Sequence, residues 1–306
     1  MKKNTLKIIA ATGACAMALT LLPAGSAQAA ATYLPTKEVR YSYSEDGKWE
    51  KYYSESTSYN KKGAVVKNVT TRFDSDGKEV STTKYSYKGS KLIGEKTYLN
   101  KELMYKMNVS YKKGLPRIVK AKHYFFAKPT SSKTVFKYKG KLPVTVSFYY
   151  GKDKVNYWKN KYKKGKLISR SYYSAGGTIR RKDIYKNGDL VKSVDYATPK
   201  TVKKYSYKNH KLVKSVEKED DSITTIIYNN KGLPEKETVK DSSSVETTTY
   251  SYKYYKNNTV MESLSQWVDP NDPENIRKEK IVYSGFKKFK STPAHSIVED
   301  YPGRIY

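Results

Sequence analysis

Lysines set beside tyrosines at a regular spacing are the residues of this sequence whose types could do chemistry. The stretch Tyr162-Lys163-Lys164-Gly165-Lys166-Leu167 carries the pattern: a tyrosine, a Lys/Asn/Gly turn, then an aliphatic residue, repeated from Tyr59 to about Tyr252. Lys112, Lys113, Lys139, Lys141, Lys163, Lys164, Lys166, Lys186, Lys208 and Lys211 all occupy this one series of turns. A regular array would therefore line them along one edge. A row of cations beside tyrosine faces suits a repeating polyanion such as wall or lipoteichoic acid, an acidic polysaccharide or extracellular nucleic acid. Lysines that only keep a sheet edge soluble would occupy the same positions. They would not account for a formal charge of +31, or 31 − 3 = +28 once Lys2, Lys3 and Lys7 of the leader are removed.

Catalytic chemistry has little to draw on. His123, His210 and His295 stand in unrelated contexts, and no paired-histidine motif, cysteine cluster, nucleophile elbow or phosphate loop occurs. The expectation is a protein that is not an enzyme and has no cofactor. Asp269, Asn271, Asp272 and Glu274 form the one dense group of oxygen donors, of a kind that suits calcium. Pro270 and Pro273 favour a rigid Asx-turn loop there instead. Other acids are scattered among lysines, which predicts ordinary cross-strand ion pairs.

The elements that must position the lysines are short strands. Turns recur every 11 to 14 residues or so, enough for one strand and one turn. The Tyr-Lys-x-Gly series alternates with a looser one containing Asp76-Gly77, Gly151-Lys152, Gly176-Gly177 and Asp220-Asp221. In an up-and-down meander the two series lie on opposite edges. Tyr162 with Leu167, Tyr173 with Ile179 and Tyr185 with Leu190 are predicted to clamp their turns as cross-strand pairs and to hold register. Between these ends the strands are polar on both faces, and a sandwich needs a continuous apolar face per sheet. The fold class predicted is all-β: an elongated, twisted, largely single-layer antiparallel meander, with a two-sheet sandwich as the alternative.

The predicted organisation is a secretory signal peptide at 1–29, an N-terminal hairpin or cap at 30–58, the tyrosine-rich array at 59–262 and an irregular C-terminal cap at 263–306. Cys15 is the single cysteine and lies in the leader, so no disulfide framework is expected.

The run Tyr172-Tyr173-Ser174-Ala175-Gly176-Gly177-Thr178-Ile179 with Tyr185-Lys186-Asn187-Gly188-Asp189-Leu190 resembles the MORN-repeat variant of bacterial antitoxin-component-like proteins. It is also similar to the tyrosine–aspartate repeats of Rhs-type shells. Both resemblances imply antiparallel β-repeats and neither implies one chemistry. The glycine that usually opens the strand after leucine is replaced, as in Leu167-Ile168-Ser169. The functional expectation is a secreted or cell-surface β-repeat protein, of a Gram-positive bacterium, that binds an anionic polymer of the wall or matrix. A protein–protein module, such as an adhesin, a toxin-associated or immunity-like partner or an envelope scaffold, is the alternative.

Overall fold

The computed structural model describes residues 32–289, apart from 76, 126, 127, 270, 271 and 273. The expected signal peptide, Asn271, His295 and the end of the expected C-terminal cap lie outside the described residues.

Valine, threonine, tyrosine and serine alternate with lysine along each segment, a composition that fits extended chain with side chains crowded on one side. Residues at positive φ then reverse the chain. Lys113 and Gly114 stand at 51° and 80°, Lys164 and Gly165 at 49° and 75°, and Asn187 and Gly188 at 54° and 95°. These are the two-residue turns whose own twist matches that of the strands they join.

In chain order the strands are β1 (Thr32–Leu34), β2 (Lys37–Tyr43), β3 (Trp49–Tyr59), β4 (Val65–Asp74), β5 (Gly77–Lys88), β6 (Lys91–Leu99), β7 (Glu102–Lys112), β8 (Leu115–His123), β9 (Thr130–Lys139), β10 (Leu142–Tyr150) and β11 (Asp153–Lys163). They continue as β12 (Lys166–Ser174), β13 (Ile179–Lys186), β14 (Asp189–Asp195), β15 (Thr201–Lys208), β16 (Lys211–Glu219), β17 (Ser222–Tyr228), β18 (Pro234–Lys240), β19 (Val245–Tyr254), β20 (Val260–Val268), β21 (Ile276–Ser284) and β22 (Lys287–Phe289).

From β2 to β21 each strand pairs antiparallel with the next, and β21 pairs back onto β2, Lys37 opposite Ser284 and Ser42 opposite Glu279. The result is a closed barrel of 20 strands. The all-β antiparallel meander is therefore present, but it is not the open single-layer sheet that the sequence suggests, nor a sandwich. Closure has a physical origin in the turns. At one end of the barrel each hairpin carries a register shift next to its tyrosine, for example between Ser86 and Tyr87, Ser110 and Tyr111, and Lys161 and Tyr162. Such bulges bend and twist a strand. Repeated at the same end of successive hairpins, they accumulate into curvature, and closure removes the exposed edges that an open sheet would leave. The segments expected as caps, 30–58 and 263–306, contribute β2, β3, β20 and β21, which flank the closing seam. β1 and β22 form a separate two-stranded sheet.

The bulges also explain the tyrosines. At six of the bulges the carbonyl of the residue after the turn is met by the hydroxyl of a tyrosine from the next hairpin. Tyr87 donates to Val65 at 2.8 Å, Tyr111 to Leu92 at 2.7 Å, Tyr138 to Pro116 at 2.9 Å and Tyr162 to Pro143 at 3.0 Å. Tyr207 donates to Leu190 at 3.0 Å and Tyr252 to Pro234 at 2.7 Å. Within its own hairpin Tyr162 stands opposite Leu167 and Tyr185 opposite Leu190, while Tyr173 stands opposite Ile179 across the looser turn. A tyrosine such as Tyr162 thus closes its own turn with its ring and fastens the preceding hairpin with its hydroxyl. Burial pushes the hydroxyls of Tyr138 and Tyr162 up, and that of Tyr207 up to about 12, so they remain donors at neutral pH.

The best-packed sector runs from β6 to β10, where Leu92, Met107, Val109, Val119, Ala121, Phe136 and Val146 are buried together under Tyr87, Tyr111 and Tyr138. This face of the sheet also holds paired charges further round the barrel. Arg181 Nε lies 2.9 Å from Asp183, which accepts from Ser193 Oγ at 2.8 Å, and Arg40 Nε lies 2.6 Å from Glu38.

Candidate polyanion-binding surface

All the turns of the Tyr-Lys-x-Gly series fall on one rim of the barrel, because successive antiparallel strands return there every second turn. Lys112 and Lys113 lie between β7 and β8, Lys139 and Lys141 between β9 and β10, and Lys163, Lys164 and Lys166 between β11 and β12. Lys186 follows between β13 and β14, and Lys208 and Lys211 between β15 and β16; every one of these lysines is exposed. Adjacent hairpins are two strand spacings apart, roughly 10 Å. The rim also carries exposed Lys61 and Lys62 between β3 and β4, and Lys88 and Lys91 between β5 and β6. The sequence reading missed these four, although Tyr59-Asn60-Lys61-Lys62-Gly63 and Tyr87-Lys88-Gly89 belong to the same repeated phrase.

In these turns, from 59–65 round to 254–260, the single acidic residue is Asp189. Its Oδ2 lies 2.7 Å from His210 Nδ1 of the next hairpin on that rim. His210 itself occupies a position at φ 61°, where other turns place glycine, and it is exposed. It therefore reads as a turn residue bound to a neighbouring carboxylate.

The opposite rim is built differently. Glu45 and Asp46, Asp74, Asp220 and Asp221, Asp241, and Asp269, Asp272 and Glu274 lie in or beside its turns. Several of these carboxylates are used by the turns themselves. Asp241 accepts from the backbone N–H groups of Ser243 and Ser244, each at 2.7 Å, and this holds its carboxyl below the usual range. Of the calcium candidates, Asp272 Oδ1 accepts from the Glu274 N–H at 3.2 Å, and Asp269 Oδ2 from Asn275 Nδ2 at 3.4 Å. Among the described residues no three His, Cys, Asp or Glu side chains are grouped to hold a metal.

The remaining candidates for catalysis are separated. His123 is 3% exposed, its Nε2 is 2.9 Å from Ser132 Oγ, and it packs on the Tyr105 ring. Burial holds its pKa below the ordinary histidine value.

The expected pattern of lysine opposite acid holds for some pairs and not for others. Lys203 meets Glu217 and Lys253 meets Glu262, each at 2.8 Å. Lys186 also stands opposite Asp189, but at several positions lysine faces lysine across the strands, as with Lys67 and Lys84, Lys120 and Lys133, and Lys192 and Lys204. Acids instead share the other face with the arginines and tyrosines, as in Tyr53 to Glu55 at 2.6 Å and Tyr250 to Glu237 at 2.8 Å. Register decides this separation, since alternate residues of a strand belong to opposite faces. Both faces carry charge at mid-strand, as with Lys96 and Glu95 on β6.

No family model and no curated protein matches the chain. Among solved structures, it is similar to a porin-like protein from Bacteroides uniformis, with 12% identity, a TM-score of 0.36, and coverage of 83% of this chain and 98% of that one. A porin-like protein from Bacteroides vulgatus is similar at 11% identity with a TM-score of 0.26, covering 82% of this chain and 97% of that one.

Proposed function

We propose that this protein is a non-enzymatic β-repeat barrel, exported to the cell surface, that binds an anionic polymer of the envelope or matrix through its lysine rim. The observation that supports this reading is the scarcity of acids in the turns of one rim, since exposed lysines such as Lys101, Lys128 and Lys152 occur on the other rim as well but among acids. Exposed lysines occupy one rim hairpin after hairpin, and the acid among them, Asp189, is engaged by His210. A rim of ammonium groups on rigid turns meets a polyanion with little ordering cost to the protein. Release of counterions from the polymer then supplies a salt-dependent driving force.

The test is a binding titration of the mature protein against purified wall carrying or stripped of its anionic polymer, across a salt series. Binding should weaken steeply with salt and vanish on stripped wall. Replacement of Lys163, Lys164 and Lys166 by glutamine should lower the magnitude of the log–log salt slope by about 2 if the polymer behaves like a flexible single strand. Binding that ignores both salt and the stripping of the wall would reject the reading and favour a protein partner.

A further inference from the structure

A second cationic feature lies away from the rim, in the middle of the strands. Across β4 to β8 the register sets Lys67 opposite Lys84, Lys84 opposite Lys96, Lys96 opposite Lys106 and Lys106 opposite Lys122. Directly opposed residues share a face, so these lysines form one line perpendicular to the strands. At a strand spacing of about 4.8 Å its length is roughly 19 Å. Residues two positions away on the same strands are Val65 and Val69, Thr82 and Ser86, Gly94 and Tyr98, Met104 and Asn108, and Lys120 and Tyr124, with no acid among them. A second row, Asn108 opposite Lys120 and Lys120 opposite Lys133, runs beside the first. Where the rows meet, Lys106, Lys120, Lys122 and Lys133 border a shallow depression of about 350 Å³ together with Asn108 and Ser131.

Like charges placed directly opposite each other destabilise a sheet. Four such pairs in succession, the last two on the back of the best-packed sector of the barrel, mark a surface arranged for something other than stability. We propose that this lysine line is a binding track for a linear, flexible phosphodiester polymer of the polyol-phosphate type, whose phosphates follow the line and end in the Lys106–Lys133 depression. The chemistry selects this ligand class over nucleic acid. Single-strand binders alternate cations with aromatic platforms left open for bases, whereas here Tyr98 and Tyr149 have the Lys84 and Lys133 ammonium groups 5.4 and 4.7 Å from their ring centroids, and Tyr124 borders the depression. The track is separate from the rim, so either site can fail without the other.

The experiment compares three variants of the full mature chain with the parent, titrated with purified poly(glycerol phosphate) and, separately, single-stranded DNA of equal charge. The track variant is Lys84→Gln with Lys96→Gln and Lys106→Gln; the rim variant is Lys163→Gln with Lys164→Gln and Lys166→Gln; the third replaces the three track lysines by arginine. The track variant should lose at least tenfold in affinity for poly(glycerol phosphate) at low salt and show a slope shallower by about 2. The arginine variant should retain binding, and the parent should prefer the polyol phosphate to DNA. Circular dichroism and thermal melting establish that each variant is folded. Should the glutamine variant unfold, Lys96→Gln alone gives the same reading at about one third of the slope change. Unchanged affinity and slope in the folded track variant would overturn the proposal even where the rim variant loses binding. Equal or tighter binding of DNA would overturn the ligand class.

Discussion

Strands β6 to β9 have two faces that could belong to different proteins. One presents Leu92, Met107, Val119 and Phe136, each at most 3% exposed. The other presents Lys96, Lys106, Lys122 and Lys133, separated from the first set by the alternation of side chains along the same strands and, between Leu92 and Lys96, by the bulge. The comparison teaches that stability and recognition are divided by residue parity. A slip of one residue would exchange the two sets and lose both. The tyrosine hydroxyls that fasten bulges to the next hairpin, as Tyr87 and Tyr111 do here, therefore protect the lysine face as much as the core, because they hold the register that keeps lysines in line.

The largest expected contrast between the faces comes from truncation. Leu92→Ala should cost about 2–5 kcal/mol, as for other fully buried leucines. Lys96→Ala, four residues along the same strand, should stay within about 0.5 kcal/mol of the parent. Urea denaturation of both variants measures this directly. Similar losses in the two would mean that the lysine face is packed rather than solvated.

A smaller effect tests the fastening. Tyr111→Phe keeps the ring and removes the donor to the Leu92 carbonyl, so it should cost about 1 kcal/mol or somewhat more. Tyr185→Phe alters a hydroxyl outside the series of tyrosine-to-carbonyl bonds and should cost less. Equal costs would show that the ring alone does the work.

His123 offers a pH-dependent way to sharpen the comparison, since it is a titratable group placed among buried side chains. It stands opposite Tyr105 and Thr130 and contacts Ser132. Burial lowers its pKa in the folded barrel, while the unfolded chain protonates near the ordinary value of about 6.5. Below that pH the unfolded state takes up the proton first. Stability should therefore fall as pH drops from about 6.5 towards the folded value. The difference in thermal midpoint between pH 7 and pH 5 should shrink in His123→Gln. An unchanged difference would remove His123 as its source.

Spacing alone expresses the local part of this structure. A pair such as Tyr162 and Leu167 is set by the turn between them, and strand-and-turn alternation follows from glycine, asparagine and lysine at fixed offsets. Closure was not legible, because it joins residues as distant as Lys37 and Ser284 and depends on curvature summed over many hairpins. The lysine line was hidden for a related reason. Each bulge changes the parity of the strand that follows it, so that Leu92 and Glu95, three residues apart, share the tyrosine face while Lys96 joins the other. Counting by twos from the turn loses the face at that step. Only the lysines inside the turns, ahead of the bulge, could be grouped from sequence, and those are the rim residues.

The smallest expected effect probes the line of lysines without any polymer. Lys96 has a lysine directly opposite on either side, Lys84 and Lys106. Lys96→Glu would turn two repulsive cross-strand pairs into two attractive ones, each worth about 0.2–1 kcal/mol. Exposure and salt place the sum at the low end of that range. The barrel should gain a few tenths to about 1 kcal/mol at low ionic strength, and the gain should fade as salt is raised. Among mutations at exposed sites a stabilising charge reversal is informative, because it shows that the native residue is held there against its own contribution to the fold. A destabilised Lys96→Glu barrel at low salt would mean that the lysines already have compensating partners, and the division of labour between the two faces would then have to be redrawn.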